Sequence, residues 1–267
     1  MCADSTPSLE YVPDRDTQAI DGDGVTWWSA ITRETTACTA FEYGRATVEA
    51  GSSARITPPD HLDARRHEAT ALVTDGTGTV SMNGRTVELS PHDCLYLPAG
   101  VNHDVAGTDE PISFLWGVAD HDKPPLHGDA APRDGGDRAR AIHTYRDIDP
   151  DVSHEPGNTG YQWGPVTPDT VGSVQCNVGL FRRPPGSGMD VRGHEPPTIS
   201  EAFTVLEGRM EITDHDGTCY LLERNDFLFV PEHGQHANAN VGADTLTYAC
   251  IETPARSRTV SPTPESE

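Results

Sequence analysis

LVTDGTGTVSMNGRTVELSPHDCLYLPAGVNHDVAGTDEPISFLWGVA, residues 72–119, recurs as TVLEGRMEITDHDGTCYLLERNDFLFVPEHGQHANANVGADTLTYACIE, residues 204–252. Gly76 falls on Gly208, Asp93 on Asp226, Pro98 on Pro231 and His103 on His236. The offset grows from 132 (208 − 76) to 133 (236 − 103), because the second copy has one extra hairpin residue, His215-Asp216-Gly217 against Asn83-Gly84. Self-similarity over this length is the signature of a duplicated structural unit, so the 267 residues divide into two domains.

Each copy is a series of short strand-like runs. In the first they are TAFEYGRATV, EATALVTD, GTVSMNG, TVELS, CLYLPAG and ISFLWGVA; in the second SVQCNVGLFRR, EAFTVLEG, RMEITDHDG, TCYLLE, DFLFVPE and DTLTYACIE. Asn83-Gly84 between two alternating runs predicts a two-residue hairpin. The 25 glycines and 22 prolines suit tight turns, and helix signals are almost absent. The pattern predicts an all-β chain of two small antiparallel barrels or jelly rolls in tandem. The expected boundaries are a polar N-terminal arm over 1–20, a first barrel over 21–120, a linker rich in Pro, Gly and Asp over 121–141, a second barrel over 142–253, and a disordered tail over 254–267.

Composition removes several classes of function. The net charge is −23, and of 19 basic residues only Lys123 is lysine. Acid excess with so little lysine is similar to the composition of halophile proteins that stay soluble in concentrated salt. It argues against nucleic-acid binding, which needs clustered Lys and Arg. No apolar run approaches the roughly 20 residues that span a bilayer. The N-terminus lacks the basic-then-apolar pattern of a secretion signal, so a cytoplasmic protein is expected. Six cysteines without CxxC spacing read as small buried hydrophobes.

The repeat unit resembles the cupin family, whose first motif holds two histidines, a glutamate and a glycine, and whose second runs Gly-Asp then PxGxxH. Copy two shows GHEPPTISEAFTVLEG and NDFLFVPEHGQHANAN; copy one shows RRHEATALVTDG and HDCLYLPAGVNH. The resemblance covers most of both halves. It implies a bicupin: two tandem cupin (jelly-roll, or double-stranded β-helix) barrels, with a degenerate metal motif in the N-terminal one.

In copy two the resemblance implies a metal site of His194, Glu201 and His236. Glu201 lies seven residues before Gly208, His236 five after Pro231, and His194 seven before Glu201. Two imidazoles and a carboxylate on neighbouring strands hold one divalent ion (Mn, Fe, Ni or Zn) and leave positions open for substrate. The motif is incomplete. With His194 as its first histidine the second position is Pro196; with His194 as its second the first is Arg192. A fourth ligand is then Glu195, His233, Gln235, Asn238 or water. The competing expectation is a fossil site whose polar groups satisfy one another.

Copy one has Ala69 where copy two has Glu201. His103 remains, His67 shares the inward parity of Ala69, and His61 is nearby, so His61, His67 and His103 form a weaker second candidate. A ligand-free barrel that packs against its partner is the alternative. Arg182, Arg183 and Arg192 flank the copy-two site and either clamp a substrate carboxylate or pair with surface acids. Trp27, Trp28, Trp116 and Trp163 are expected in packing, and Phe203, Val205 and Leu222 as barrel lining.

The expected function is that of a metal-dependent bicupin enzyme acting on a small polar or anionic metabolite, with Glu201 and Arg192 as catalytic residues. Among reactions the resemblance leans to a dioxygenase. A non-oxidative enzyme similar to the ureidoglycine aminohydrolases or sugar-acid isomerases is the first alternative, and a non-catalytic metabolite-binding bicupin the second. Neither nucleic acid nor membrane is an expected partner. A homodimer or higher homo-oligomer is expected, because exposed edge strands pair between chains.

Overall fold

The residues shared by the two copies are turn-makers. In the computed structural model, Gly76 and Gly208 take φ of 72° and 85°, a region open mainly to glycine. Asp93 accepts from the Ser90 amide at 2.8 Å and Asp226 from the Glu223 amide at 2.9 Å, closing the same turn in each half. The residue before each aspartate, His92 (φ 77°) or Asn225 (φ 68°), occupies the left-handed region that starts the following strand. The structure describes residues 7–56, 67–82, 85–98, 103–119, 142–143, 151–155, 158–168, 170–189, 192–193 and 198–255.

The described strands of the first half are β1 (Glu10–Val12), β2 (Gln18–Gly22), β3 (Val25–Ile31), β4 (Phe41–Val48), β5 (Ser53–Ile56), β6 (Glu68–Asp75), β7 (Gly78–Met82), β8 (Arg85–Leu89), β9 (Cys94–Leu97), β10 (His103–Gly107) and β11 (Ile112–Ala119). Those of the second are β12 (Ile142–His143), β13 (Asp151–Glu155), β14 (Asn158–Val166), β15 (Asn177–Arg183), β16 (Arg192–Gly193), β17 (Ser200–Glu207), β18 (Met210–Asp214), β19 (Cys219–Leu222), β20 (Phe227–Val230), β21 (Gln235–Asn240) and β22 (Leu246–Thr253). Each barrel packs a seven-stranded sheet on a four-stranded one. The first uses β12-β9-β6-β11-β4-β3-β2 and β5-β10-β7-β8; the second uses β1-β20-β17-β22-β15-β14-β13 and β16-β21-β18-β19. The two orders match strand for strand, and the architecture is the all-β tandem jelly roll that the repeat predicts. Met82 pairs with Arg85, in keeping with the expected hairpin, whose Asn83 and Gly84 lie outside the described residues.

Each half lends a strand to the other. β1 adds to the edge of β20 and β12 to the edge of β9, so the stretch expected to be a polar arm holds two strands, β1 and β2. Tyr11 and Val12 are half-buried there. The Tyr11 hydroxyl and the Asp14 amide both donate to Asp226 at 2.8 Å, and Arg45 pairs with Asp14 at 2.9 Å. The arm covers a sheet edge that would otherwise be open to another chain. The linker over 121–141, and the tail from residue 256, lie outside the described residues.

One short helix, α1 (Arg33–Thr36), goes beyond the sequence expectation. Its β-branched residues have poor helix propensity, and a reciprocal cap between Thr32 and Thr35 holds the single turn. The turn recurs in the second half, where the Thr167 amide meets Thr170 Oγ1 at 2.9 Å just as the Thr32 amide meets Thr35 Oγ1.

Strand alternation divides the apolar residues among three cores. One fills the first barrel, with Ala69, Leu97, Phe114, Trp116 and Val118. A second fills the other barrel, with Phe203, Val205, Leu222, Leu228 and Tyr248, so the three lining residues named from sequence lie inside. The third lies between the barrels, where Phe41 meets Phe229 and Tyr43 meets Phe227 edge-on at 5.8 and 5.5 Å. The tryptophans pack as expected: Trp27 contacts Phe114 and Trp116, Arg45 stacks on Trp28, and Trp163 joins the inter-barrel core. Among the described residues no helix is long and apolar enough to cross a membrane.

Candidate metal centre

β17, β22 and β15 lie side by side in the second barrel, and their first inward row is polar. Asn177 stands opposite Glu252, Glu252 opposite Glu201, and Glu201 opposite Val230. The next row inward is Gly179, Cys250, Phe203 and Leu228. β21 comes from the facing sheet and brings His236, whose Nε2 lies 3.7 Å from Glu201 Oε2. Both side chains are almost fully buried. Phe203 packs against the imidazole with ring centroids 5.2 Å apart and a near-perpendicular tilt, which restricts the ring's rotation.

Glu201 and His236, 35 residues apart in the sequence (236 − 201), are thus brought together. His194 lies outside the described residues, as do Glu195 and His61. Arg192 pairs in register with His236 through β16, which places its backbone at the site, although its side chain is not among those described. Of the other candidate ligands, Asn238 is buried on β21, two residues beyond His236 and on the same face.

The structure adds Glu252 and Cys250. One ligand atom from each of Glu201, Cys250 and Glu252 falls within a 4.8 Å group, and all three residues are buried. Asn177 Nδ2 donates to Glu252 Oε2 at 3.3 Å. Sequence comparison of the copies set Glu252 against Ala119, and the structure shifts that pairing by one. Val118 stands opposite Ala69 as Glu252 stands opposite Glu201, an offset of 134 (252 − 118) rather than 133. The second copy therefore carries one further residue between β21 and β22. A legible signal was present: an acid inside the apolar run TYACIE, on the same alternation as Cys250.

In the first barrel the matching row is Glu42, Val118, Ala69 and Leu97. His67 is buried with Nδ1 3.2 Å from the Ala119 carbonyl oxygen, and His103 begins β10. The Glu201-centred set is the one group of potential metal ligands among the described residues.

Two expectations for other residues change. Arg182 is exposed, but Arg183 is buried beneath the Phe181 ring at 5.7 Å, and its Nε and Nη1 have no hydrogen-bond partner. It does not pair with surface acids, because the alternation of β15 turns it inward beside Phe181. Cys38, Cys94, Cys176 and Cys250 are buried as expected, whereas Cys219 is exposed on β19, the edge strand of its sheet.

The family follows from this arrangement. A model of the cupin domain matches residues 45–118 and again 179–252, together more than half of the chain, and the protein belongs to the cupin family as a tandem bicupin. No curated protein matches it in sequence. In structure it is similar to the formate complex of Lactobacillus farciminis oxalate decarboxylase, with 12% identity and a TM-score of 0.69 over 94% of this chain and 88% of that one. It is similar to AerE from Microcystis aeruginosa, with 12% identity and a TM-score of 0.65 over 91% and 98%. It also matches Bacillus subtilis oxalate decarboxylase, an enzyme with Mn(II) centres, with 14% identity and a TM-score of 0.69 over 96% and 80%. Identities this low carry the fold alone.

Proposed function

We propose that the protein is a metal-dependent bicupin enzyme that acts on a small polar or anionic metabolite in its C-terminal barrel. The buried approach of His236 to Glu201, at 3.7 Å on the strands that bear the family's motif, carries this reading. The donor set fits a divalent ion. Glu201 and Glu252 bring two carboxylates into one buried space, where like charges repel and a cation offsets the cost. Glu201, His236 and His194 would hold the metal, as Mn, Fe, Ni or Zn. Bound there, the ion supplies Lewis-acid polarisation of a carbonyl or enol oxygen.

The chain's own groups do the rest. Phe203 fixes the His236 ring, and the apolar rows beneath exclude water from the carboxylates. Arg192, whose backbone is in register with His236, would meet the anionic end of a substrate through paired hydrogen bonds. The similar structures support a small anion and a Mn-type ion, since two are oxalate decarboxylases and one has Mn(II) centres. Within this class a dioxygenase is the leading reaction. Turnover of a substrate panel without oxygen uptake would move the assignment to a non-oxidative bicupin.

The deciding experiment is elemental analysis of tag-free protein beside His236→Ala. One equivalent of Mn, Fe, Ni or Zn in the wild type, lost in the variant, is the expected result. Absence of metal from both after reconstitution would refute the proposal and leave a metabolite-binding bicupin.

A further inference from the structure

The family motif leaves the C-terminal barrel one imidazole short, and the last strand of that barrel carries a carboxylate into the gap. We propose that Glu252 is a metal ligand of this chain, held for that role by Asn177. The proposal rests on the metal-dependent reading above. β22 would then supply what the histidine motif lacks, with Glu201, Glu252 and His236 among the residues that would hold the ion.

Register, burial and orientation support it together. Glu252 is the direct cross-strand neighbour of Glu201, so their side chains leave the sheet on the same face at one row. Its exposure is 3%, and it lies with Glu201 and Cys250 inside the 4.8 Å group. A buried carboxylate of no function is replaced at little cost, and the other barrel has Val118 there. Asn177 is fully buried and donates to Oε2 of Glu252, the kind of second contact that orients a ligating carboxylate. Gln175 precedes Asn177 by two residues at the same end of the barrel. Its side-chain amide is fully buried, with neither atom hydrogen-bonded, which marks a polar space awaiting a ligand or water.

The donor set also has a consequence for metal choice. A second carboxylate in place of an imidazole makes the donor set harder, and favours Mn(II) over softer competitors. Cys250, one row deeper, is the only soft donor within reach among the described residues.

The test is Mn(II) titration followed by electron paramagnetic resonance, on wild type, Glu252→Gln and Glu252→Asp, with thermal unfolding as the check of folding. Glu252→Gln keeps the side-chain shape and the reach to Asn177; Glu252→Asp keeps the charge but withdraws it by one methylene. Both are expected to weaken Mn(II) binding by about tenfold or more and to alter the spectrum of any bound ion, and Asn177→Ala to weaken it less. A wild type that binds Mn(II) beside a folded Glu252→Gln with equal affinity and an unchanged spectrum would overturn the role of Glu252 alone. A wild type that binds no metal would overturn the proposed function and this inference together.

Discussion

Replacement of Glu68 tests how the two barrels are joined. Glu68 lies on β6 of the first barrel, 4% exposed, on the face away from that barrel's interior. Its carboxylate accepts from the Tyr96 hydroxyl at 2.7 Å, the Val174 amide at 3.0 Å and the Gln175 amide at 2.9 Å. The last two belong to the segment that enters β15 of the other barrel. Glu68→Ala removes the carboxylate acceptor from these three donors. Each orphaned group costs about 1–3 kcal/mol, and water entering the vacated space recovers part of that. The expected loss is about 3–5 kcal/mol, three such groups less what water recovers. Glu68→Gln offers one carbonyl oxygen but turns an NH2 toward an amide donor, so it recovers less than half.

Urea unfolding at neutral pH measures the loss through the shift of the midpoint at constant slope. The wild type is expected to unfold in one transition. Glu68→Ala should keep a single transition at a lower midpoint, because the exchanged strands β1 and β12 and the core between the barrels still couple them. Tyr96→Phe alone should cost about 1–2 kcal/mol, and much less in the Glu68→Ala background, since the two share one interaction. A loss below about 1 kcal/mol for Glu68→Ala would refute the assignment of this carboxylate as the inter-barrel clasp.

Two further outcomes are expected. Burial lowers the pKa of His92 below its ordinary value of 6.5, against the opposing pull of Glu207. The neutral ring is therefore the form the fold favours: its contribution is complete above pH 6.5 and is lost as pH falls through the lower folded value. His92→Asn keeps a residue tolerant of φ 77° and should flatten the acid side of the stability curve; an unchanged curve would exclude His92 as a contributor. Burial also pushes the Cys94 and Cys176 thiols well up, with Glu68 adding to the shift at Cys176. In a Cys2→Ser background a maleimide should label Cys219 in the native protein and reach the buried thiols only after denaturation. Rapid native labelling of Cys94 or Cys176 would contradict the burial described here.

The strands legible in the sequence were those whose apolar residues face a core. EATALVTD coincides with β6, and DTLTYACIE covers β22 except for its last residue, Thr253. β10 and β21 escaped that reading although they carry His103 and His236. In QHANAN the buried positions are His236, Asn238 and Asn240, and the half-buried ones are alanines, so the usual alternation is inverted. Asn240 explains part of that inversion: its side chain donates to the carbonyls of Arg183 and Asp244 and accepts from Gly242, tying the two sheets at one end. Glu201 and His236 were found because motif spacing survives such inversion. Glu252 was not, because one residue added between β21 and β22 moved the alignment of the copies by one, and in a strand one position is the difference between the two faces. β1 and β12 were hidden for another reason. Short strands that pair with the opposite barrel leave no periodic pattern of their own.

The duplicated row shows how one fold came to hold two different interiors. Where the second barrel has Glu252 and Glu201, the first has Val118 and Ala69. One row deeper, Cys250 is answered by Trp116, and Gly179 by Gly44. The Trp116 indole covers Gly44, where an added Cβ would meet ring atoms at 3.1 Å, and its Nε1 donates to the Arg45 carbonyl at 3.1 Å. Trp27 then packs edge-on against both Trp116 and Phe114, contacts worth about 0.5–1.5 kcal/mol each beyond the area they bury. A carboxylate at position 69 or 118 would face this largely hydrocarbon interior at a cost of several kcal/mol. At that row the second barrel has the Cys250 thiol in place of the Trp116 indole, and in the row before it two carboxylates and a buried amide. One row pattern thus carries a largely apolar filling in the first barrel and a polar one in the second.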